Sequence, residues 1–252
     1  MEELPEPIPA ATLILMRRRA AGPPEMLIME RAQTMAFAAG ALVFPGGRID
    51  PGDHALAALA APGLGDGAAR VAAVRETIEE TGIAPALDPV PAPAAAAALR
   101  AELASGIAFA TALARAGSSV DFRALTPFAR WCPNFREARR FDTLFYLAEA
   151  PAGAAPATAD ETESVRTFWA SAAEVLAEIE TGRAHAIFPT RRNLERLARF
   201  ASIEEARADA ARHPIRRITP WVEERDGRRF VCIPDDAGYP ITAEPYETAR
   251  RR

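Results

Sequence analysis

Four ionisable residues within one short segment have the spacing that would let them act together. Glu79 and Glu80 follow Glu76 by three and four positions, and Arg75 directly precedes it. On an α-helix, residues three or four positions apart lie on the same face, so the three glutamates point in one direction. Arg75 can neutralise only part of their charge. The remaining negative charge favours a hard divalent cation that takes oxygen ligands, such as Mg²⁺.

A Phe-Pro-Gly-Gly sequence precedes this segment. Gly46 and Gly47 follow Pro45 at the end of an apolar run, where glycines allow a tight turn and a close approach of the backbone to another group. Asp53 lies six positions after Gly47 and adds a carboxylate. Gly82 stands where the end of a helix favours a left-handed residue. The pattern predicts a strand, a glycine turn and an acidic helix that ends near Gly82.

Together these residues resemble the Nudix box, G-x5-E-x7-R-E-U-x-E-E-x-G-U, in which U is a bulky aliphatic residue. The positions that match are Gly47, Arg75, Glu76, Glu79, Glu80, Gly82 and Ile83. Asp53 replaces the first glutamate of the pattern and keeps its charge, and Thr77 stands where an aliphatic residue is usual. The spacer between Asp53 and Arg75 holds 21 residues, 54–74, rather than 7. Its proline and glycines predict a loop insertion, exposed over 56–66, before the helix starts at about residue 67.

The segment upstream of the box resembles the signature LLTxR[SA]x3Rx3Gx3FPGG of the coenzyme A diphosphatases in the Nudix superfamily. Met29 replaces the threonine of that signature, and Ala36 stands in place of its second arginine. The long insertion in the box is similar to that of the peroxisomal-type branch of these enzymes and its bacterial relatives. The resemblance to this branch covers roughly residues 10–245. The residues that match the signature are Leu27, Ile28, Arg31, Ala32, Gly40, Phe44 and Pro45.

The resemblance implies roles for individual residues. It implies that Mg²⁺ or Mn²⁺ is held by Glu76, Glu79, Glu80 and the carbonyl of Gly46. Arg75 would orient these carboxylates and Asp53 would support them from behind. A further catalytic carboxylate is predicted in the later loop that contains Asp160, Glu161 and Glu163, with Glu163 favoured. The predicted substrate-binding residues are Arg31, Gly40, Phe44, Gly47 and Arg140. Arg139, next to Arg140, and the pair Arg191 and Arg192 are further candidates for contact with phosphates, with a structural role equally open.

The fold that the resemblance implies is an α/β class fold, the Nudix α/β/α sandwich with a mixed sheet, in one domain over residues 1–252. A helical insertion at about 91–120 and a C-terminal helix and extension at about 190–252 would be added to it. Hydrophobic periodicity agrees with this plan. It predicts a hairpin over 11–30, strands at 41–44, 122–131, 141–149 and 164–169, and helices at 67–81, 94–104, 107–116, 171–180 and 190–212.

Composition excludes several classes of protein. The 252 residues contain no lysine, so Schiff-base chemistry and a P-loop lysine are ruled out. A net charge of −4 argues against a broad nucleic-acid-binding surface. The two cysteines and three histidines have no zinc spacing, and reduced thiols are expected. No apolar run is long enough for a membrane span, so a cytoplasmic protein without a membrane or nucleic-acid partner is predicted, with its oligomeric state open.

These observations lead to one main hypothesis about function and two alternatives. The main hypothesis is a metal-dependent hydrolase that cleaves the diphosphate of coenzyme A or acyl-coenzyme A to 3′,5′-ADP and (acyl-)4′-phosphopantetheine. The first alternative keeps this chemistry but acts on ADP-ribose, NADH or another nucleoside diphosphate derivative, which Ala36 favours. The second is a nucleotide-sensing module without catalysis, against which the intact acidic residues argue.

Overall fold

The computed structural model describes residues 5–34, 38–134, 140–153 and 164–249. Strands in these ranges are β1 (Ile8–Arg17), β2 (Glu25–Arg31), β3 (Leu42–Val43), β4 (Gly46–Arg48), β5 (Leu87–Asp88), β6 (Ser119–Val120), β7 (Thr126–Trp131), β8 (Phe141–Glu149), β9 (Ser164–Ala170), β10 (Arg217–Ile218), β11 (Trp221–Arg225), β12 (Arg228–Cys232) and β13 (Ala243–Pro245). Helices are α1 (Pro51–Ala60), α2 (Gly67–Thr81), α3 (Pro93–Ala104), α4 (Phe109–Ala116), α5 (Ala172–Glu180), α6 (Phe188–Leu197), α7 (Ile203–Arg212) and α8 (Tyr246–Ala249).

The main sheet is mixed and has eight strands. Its centre is the parallel pair β1–β8, and β1 also forms an antiparallel hairpin with β2. The segment 42–48 joins these two strands a second time, because β3 pairs with β2 and β4 pairs with β1. As a result, the chain that leaves β4 for the box helix starts from the middle of the sheet.

Helices cover both faces of this sheet, as binary patterning of the central strands requires. Alternate residues of β1 point to opposite faces: Leu13 and Leu15 pack with α1, α2, α3 and α4, whereas Ile14 and Met16 pack with α5, α6 and α7. All four side chains are fully buried. The arrangement confirms the predicted α/β/α sandwich.

Several predicted elements are confirmed. The hairpin at 11–30, the box helix at 67–81 and the two helices of the insertion lie where the sequence placed them. Gly82 ends α2 in the left-handed conformation with φ of 72°. None of the helices in the described part of the chain combines the length and the apolar content that crossing a bilayer requires.

The prediction of a loop insertion over 54–74 is wrong for residues 54–60. Residues 51–60 form helix α1, and only 61–66 connect it to α2. Pro51 has a fixed φ that suits the first turn of a helix, and the backbone N–H of Asp50 donates to the side chain of Asp53 at 2.8 Å. Asp53 and Ala57 are buried on the inner side of α1. A spacer rich in alanine thus forms a packed helix rather than a loop.

The predicted single helix over 190–212 is also wrong. It consists of two helices, α6 and α7, separated at 198–202. Ser202 explains the break, because its hydroxyl accepts the backbone N–H of Glu205 at 3.1 Å and so starts a new helix. The strand predicted over 122–131 begins only at Thr126, after a short 3₁₀ turn.

Candidate functional site

The site is built around the guanidinium of Arg75, which is 8% exposed and lies on α2. Its Nε and Nη2 donate to the two carboxylate oxygens of Asp53 at 3.0 and 2.9 Å. Its Nη1 donates to Glu76 at 2.9 Å and to Glu79 at 3.0 Å. Nη2 also donates to the carbonyl of Arg48 and lies 3.6 Å from a carboxylate oxygen of Asp50. One cation therefore faces four carboxylates.

Asp53 connects Arg75 to helix α1. It is 1% exposed, and its second oxygen accepts both Arg75 Nη2 and the backbone N–H of Asp50. The bidentate pair fixes the plane of the guanidinium, since both groups are planar forks. Asp53 thus supports Arg75 from behind, through a helix that the sequence analysis did not predict. Its support of metal-binding carboxylates stays a prediction.

The two glycines of β4 lie directly against the acidic face of α2. The backbone N–H of Gly46 donates to Glu80 at 2.9 Å. A Cβ atom at Gly46 would overlap the carbonyl of Ala11, and one at Gly47 would overlap the carboxylate of Glu76. Backbone atoms exclude a side chain at Gly46, and a side chain at Gly47 would displace the Glu76 carboxylate, which confirms that the backbone here approaches another group closely. Whether the Gly46 carbonyl binds a metal remains a prediction.

Burial and the neighbouring charges together change the pKa of the carboxylates. Burial raises the pKa of Glu76 to about 7, while attraction to Arg75 opposes the shift and the charge of Glu79 adds to it. Burial also raises the pKa of Glu79, again against the attraction of Arg75. Burial lowers the pKa of Arg75, but the bond to Asp53 and the charge of Glu76 outweigh it and raise that pKa overall.

The donor set fits a hard divalent cation by its chemistry. Carboxylate oxygens are the ligands that Mg²⁺ and Mn²⁺ prefer, and a bound cation would favour the ionised form of Glu76, which burial disfavours. The side chains of Glu76 and Glu79 are turned towards Arg75, however, and that of Glu80 accepts from the backbone of Gly46. In the described ranges, no group of three His, Cys, Asp or Glu side chains is arranged to hold a metal ion.

Arg31 and Gly40, two predicted substrate-binding residues, contact each other between the end of β2 and the start of β3. The backbone N–H of Gly40 donates to the carbonyl of Arg31 at 3.1 Å. Gly40 has φ of 68°, and a Cβ there would overlap the side chain of Gln33. Gly40 therefore contributes to this contact through its backbone. Arg31 is half-buried, and its Nε has no hydrogen-bond partner among the described residues.

The predicted site residues Phe44, Arg140 and Glu163 differ in how their positions agree with the predicted roles. Phe44 was predicted to contact substrate, but its side chain is 3% exposed within the core on the face opposite α2, so it can serve only to hold the strand. Arg140 is half-buried beside the start of β1, and its buried Nε also lacks a partner among the described residues. Glu163 lies outside the described residues, together with Ala36, Arg139, Asp160 and Glu161.

Two residues of the site, Asp50 and Arg100, were not among those predicted from the sequence. Asp50 could have been found, since an aspartate before proline is a common helix start and would have placed α1. Arg100 of α3 could not, because it reaches the end of α2 from 20 residues away in sequence. The contact depends on how the insertion folds back, which no local pattern encodes.

Comparison with solved structures gives one strong similarity. A NUDIX hydrolase from Alicyclobacillus acidocaldarius is 30% identical, with a TM-score of 0.71 over 81% of this chain and 96% of that protein. Two more distant structures are a MutT protein from Methanosarcina mazei Go1, 17% identical over 78% and 97% of the two chains with a TM-score of 0.42, and the NUDIX domain of Shewanella oneidensis NrtR in complex with ADP-ribose, 14% identical over 76% and 86% with a TM-score of 0.44. No protein-family model and no curated protein matches the sequence.

Proposed function

The chain belongs to the Nudix hydrolases, and from that premise we propose that it cleaves the diphosphate of coenzyme A or acyl-coenzyme A. The products would be 3′,5′-ADP and 4′-phosphopantetheine or its acyl form. The observation that carries the proposal is the excess of carboxylates over cations around Arg75, at the point where β4 leads into the box. Such an excess costs stability and is expected where a divalent cation binds.

Glu76, Glu79 and Glu80 would hold Mg²⁺ or Mn²⁺, with the carbonyl of Gly46 as a further ligand. A bound divalent cation neutralises diphosphate charge and acidifies water, which is the chemistry that this reaction needs. Arg75 keeps the carboxylates of Glu76 and Glu79 in place through its two bonds from Nη1. Asp53 in turn keeps Arg75 in place.

Proton transfer is assigned to a carboxylate that is not a ligand of the cation, because a carboxylate that binds a divalent ion is held in its ionised form and is a poor base. Glu163, in the segment that precedes β9, is the residue proposed for this role.

Phosphate recognition is assigned to Arg31 and Arg140. The strand register supports this, since Arg31 ends β2 and Arg140 directly precedes β8, at the same end of the sheet as Arg48 of β4. Each has a buried Nε without a partner among the described residues. A guanidinium binds phosphate with two parallel hydrogen bonds, so such an unpaired donor is suited to a charged group of the substrate.

A second candidate function keeps the reaction and changes the substrate to ADP-ribose, NADH or another nucleoside diphosphate derivative. The observation in its favour is Ala36, which removes an arginine that the coenzyme A signature contains. In that case, the Nε donors of Arg31 and Arg140 would face the diphosphate itself rather than the 3′-phosphate of coenzyme A.

The substrate is tested by comparing kcat/KM for coenzyme A, its 3′-dephosphorylated form and ADP-ribose at one concentration of free Mg²⁺. A charged hydrogen bond to the 3′-phosphate is worth about 1.5–3 kcal/mol, or roughly tenfold to a hundredfold. We expect coenzyme A or an acyl derivative to be the best of the three by that factor, and Arg140→Met to remove the difference. Faster cleavage of ADP-ribose or of the dephosphorylated form would establish the second candidate instead.

A further inference from the structure

The last turn of α2 is electrostatically unfavourable. Helix carbonyls give the C-terminal end a partial negative charge, and cations in the last turn normally compensate it. Here the last turn carries Glu79 and Glu80 and no basic residue. Gly82 donates to the carbonyl of Ile78 at 2.9 Å, but the carbonyls of Glu79 and Glu80 lie beyond the last donors of the helix. Two of the residues proposed to bind a cation, Glu79 and Glu80, thus sit on the last turn, where a helix frays most readily.

Arg100 of α3 supplies the cation that α2 lacks. Its Nε donates to the carbonyl of Glu79 at 3.0 Å, and its Nη2 donates to the carbonyl of Glu80 at 3.2 Å. The flanking side chains Leu99 and Leu103 are 2% and 8% exposed and belong to the core that also contains α2. This packing fixes the helix that carries Arg100 against the helix that carries the acidic residues.

We propose that Arg100 is a positioning residue for the active site, holding the backbone of Glu79 and Glu80 so that both carboxylates stay within reach of one divalent cation. The helical insertion over 91–120 then supports the active site through Arg100 and is not merely attached to the domain. This inference rests on the proposed metal-dependent hydrolysis but not on which diphosphate is the substrate. It assigns a role to a residue that touches neither substrate nor metal.

A merely structural cap would give a different result from a positioning residue. A cap stabilises the helix end, so its loss would lower Tm while the folded enzyme kept its kcat and its affinity for metal. Loss of a positioning residue makes the two carboxylates less ordered even when the fold is retained. Its loss would therefore weaken metal binding and lower kcat, with little change in KM for a substrate held by other residues.

The test compares Arg100→Met and Arg100→Lys with wild type. Binding of Mn²⁺ is measured without substrate by electron paramagnetic resonance, and kcat, KM and Tm are measured in parallel. For Arg100→Met we expect an Mn²⁺ Kd at least about fivefold weaker and kcat about tenfold lower, with KM within about twofold. Arg100→Lys keeps the charge and one donor group, so it should be intermediate. Arg115→Met is the matched control, because Arg115 lies on the same insertion and pairs only at the surface with Glu102 at 3.2 Å.

Unchanged or tighter Mn²⁺ binding in Arg100→Met, together with a wild-type kcat, would overturn the proposal and leave Arg100 a simple helix cap. If Arg100→Met does not fold, the same criteria apply to Arg100→Lys. If wild type binds Mn²⁺ but cuts no diphosphate in a substrate panel, the proposed function fails while the binding comparison still decides the role of Arg100.

Discussion

Two buried groups of arginines and carboxylates lie on opposite faces of the main sheet, and they differ in charge balance. The box cluster has one arginine and four carboxylates: Arg75 with Asp50, Asp53, Glu76 and Glu79. The C-terminal cluster has as many arginines as carboxylates: Arg191, Arg192 and Arg196 with Glu195, Asp209 and Glu244. A further arginine, Arg212, reaches Asp209 from the surface.

The C-terminal cluster has the properties of a structural network. Arg192 lies 2.7 Å from both Glu195 and Glu244, and its side chain is 2% exposed. Arg196 lies 2.8 Å from Asp209 and stacks on the ring of Phe128. The charges of the C-terminal cluster balance one to one, so the cluster leaves no net charge for a ligand to neutralise. The sequence left a phosphate-binding role open for Arg192, and its ion pairs with Glu195 and Glu244 favour the structural role.

The box cluster has the opposite properties. Its charge is not balanced, and two of its carboxylates face solvent, with side chains 61% exposed at Asp50 and 33% exposed at Glu79. The comparison shows that burial of charge alone does not mark a functional site. An unbalanced charge next to a close backbone approach is the feature on which the proposed cation site rests, because a bound cation would supply the missing counter-charge.

The largest expected effect belongs to the balanced cluster. Asp209→Asn removes the anionic partner of Arg196, which is 1% exposed, and leaves its charge buried. Breaking one side of a buried pair costs about 3–5 kcal/mol. We expect urea unfolding to show that loss of stability, with kcat of the remaining folded enzyme unchanged. Glu178→Gln, in a surface pair with Arg183, is the control and should change stability little. Equal stability of Asp209→Asn and wild type would show that the C-terminal cluster does not stabilise the fold.

The next effect is on catalysis in the unbalanced cluster. Glu79→Gln and Glu80→Gln each keep the shape of the side chain and remove a hard anionic ligand. We expect each to lower kcat by at least about 100-fold, or about 2.7 kcal/mol of transition-state stabilisation, with little change in Tm. Rates near that of wild type for both variants would show that the site is assigned to the wrong residues.

The smallest effect is on the stability of the box cluster, and it has the opposite sign to that in the C-terminal cluster. The pKa of Glu76 is raised from 4.5 to about 7 in the folded protein. Between these two pH values the folded protein therefore binds a proton that the unfolded chain does not. The associated stability is complete below about pH 4.5 and is lost as pH rises through about 7. Without divalent ions at pH 8, we expect Glu76→Gln to be more stable than wild type by roughly 2 kcal/mol.

The check is a series of urea unfolding curves for wild type and Glu76→Gln from pH 4.5 to 8 in the presence of a chelator. The two curves should converge at the acid end of the series and separate as Glu76 ionises. A variant that is less stable than wild type at pH 8 would show that the Glu76 carboxylate is a structural ion pair, like those of the C-terminal cluster.

Much of the box could be predicted from the sequence because its constraints are local. Glutamates at helical spacing, a left-handed glycine at the helix end and glycines that a close approach requires each follow from neighbouring residues, as at Glu76, Gly82 and Gly47. The rest depends on tertiary packing. Helix α1 has a local start signal at Asp50 and Pro51, but its packing against the core through Ala57 depends on the tertiary structure. Likewise, Phe44 matched a signature, but only the sheet shows which face it occupies.

The central claim is that the unbalanced charge around Arg75 marks a divalent-cation site. It is tested most directly by titrating Mn²⁺ into the metal-free protein, without substrate, and following the free ion by electron paramagnetic resonance. We expect saturable binding by wild type and an affinity at least about tenfold weaker when Glu79→Gln and Glu80→Gln are combined. Mn²⁺ binding by that double variant with the affinity of wild type would contradict it.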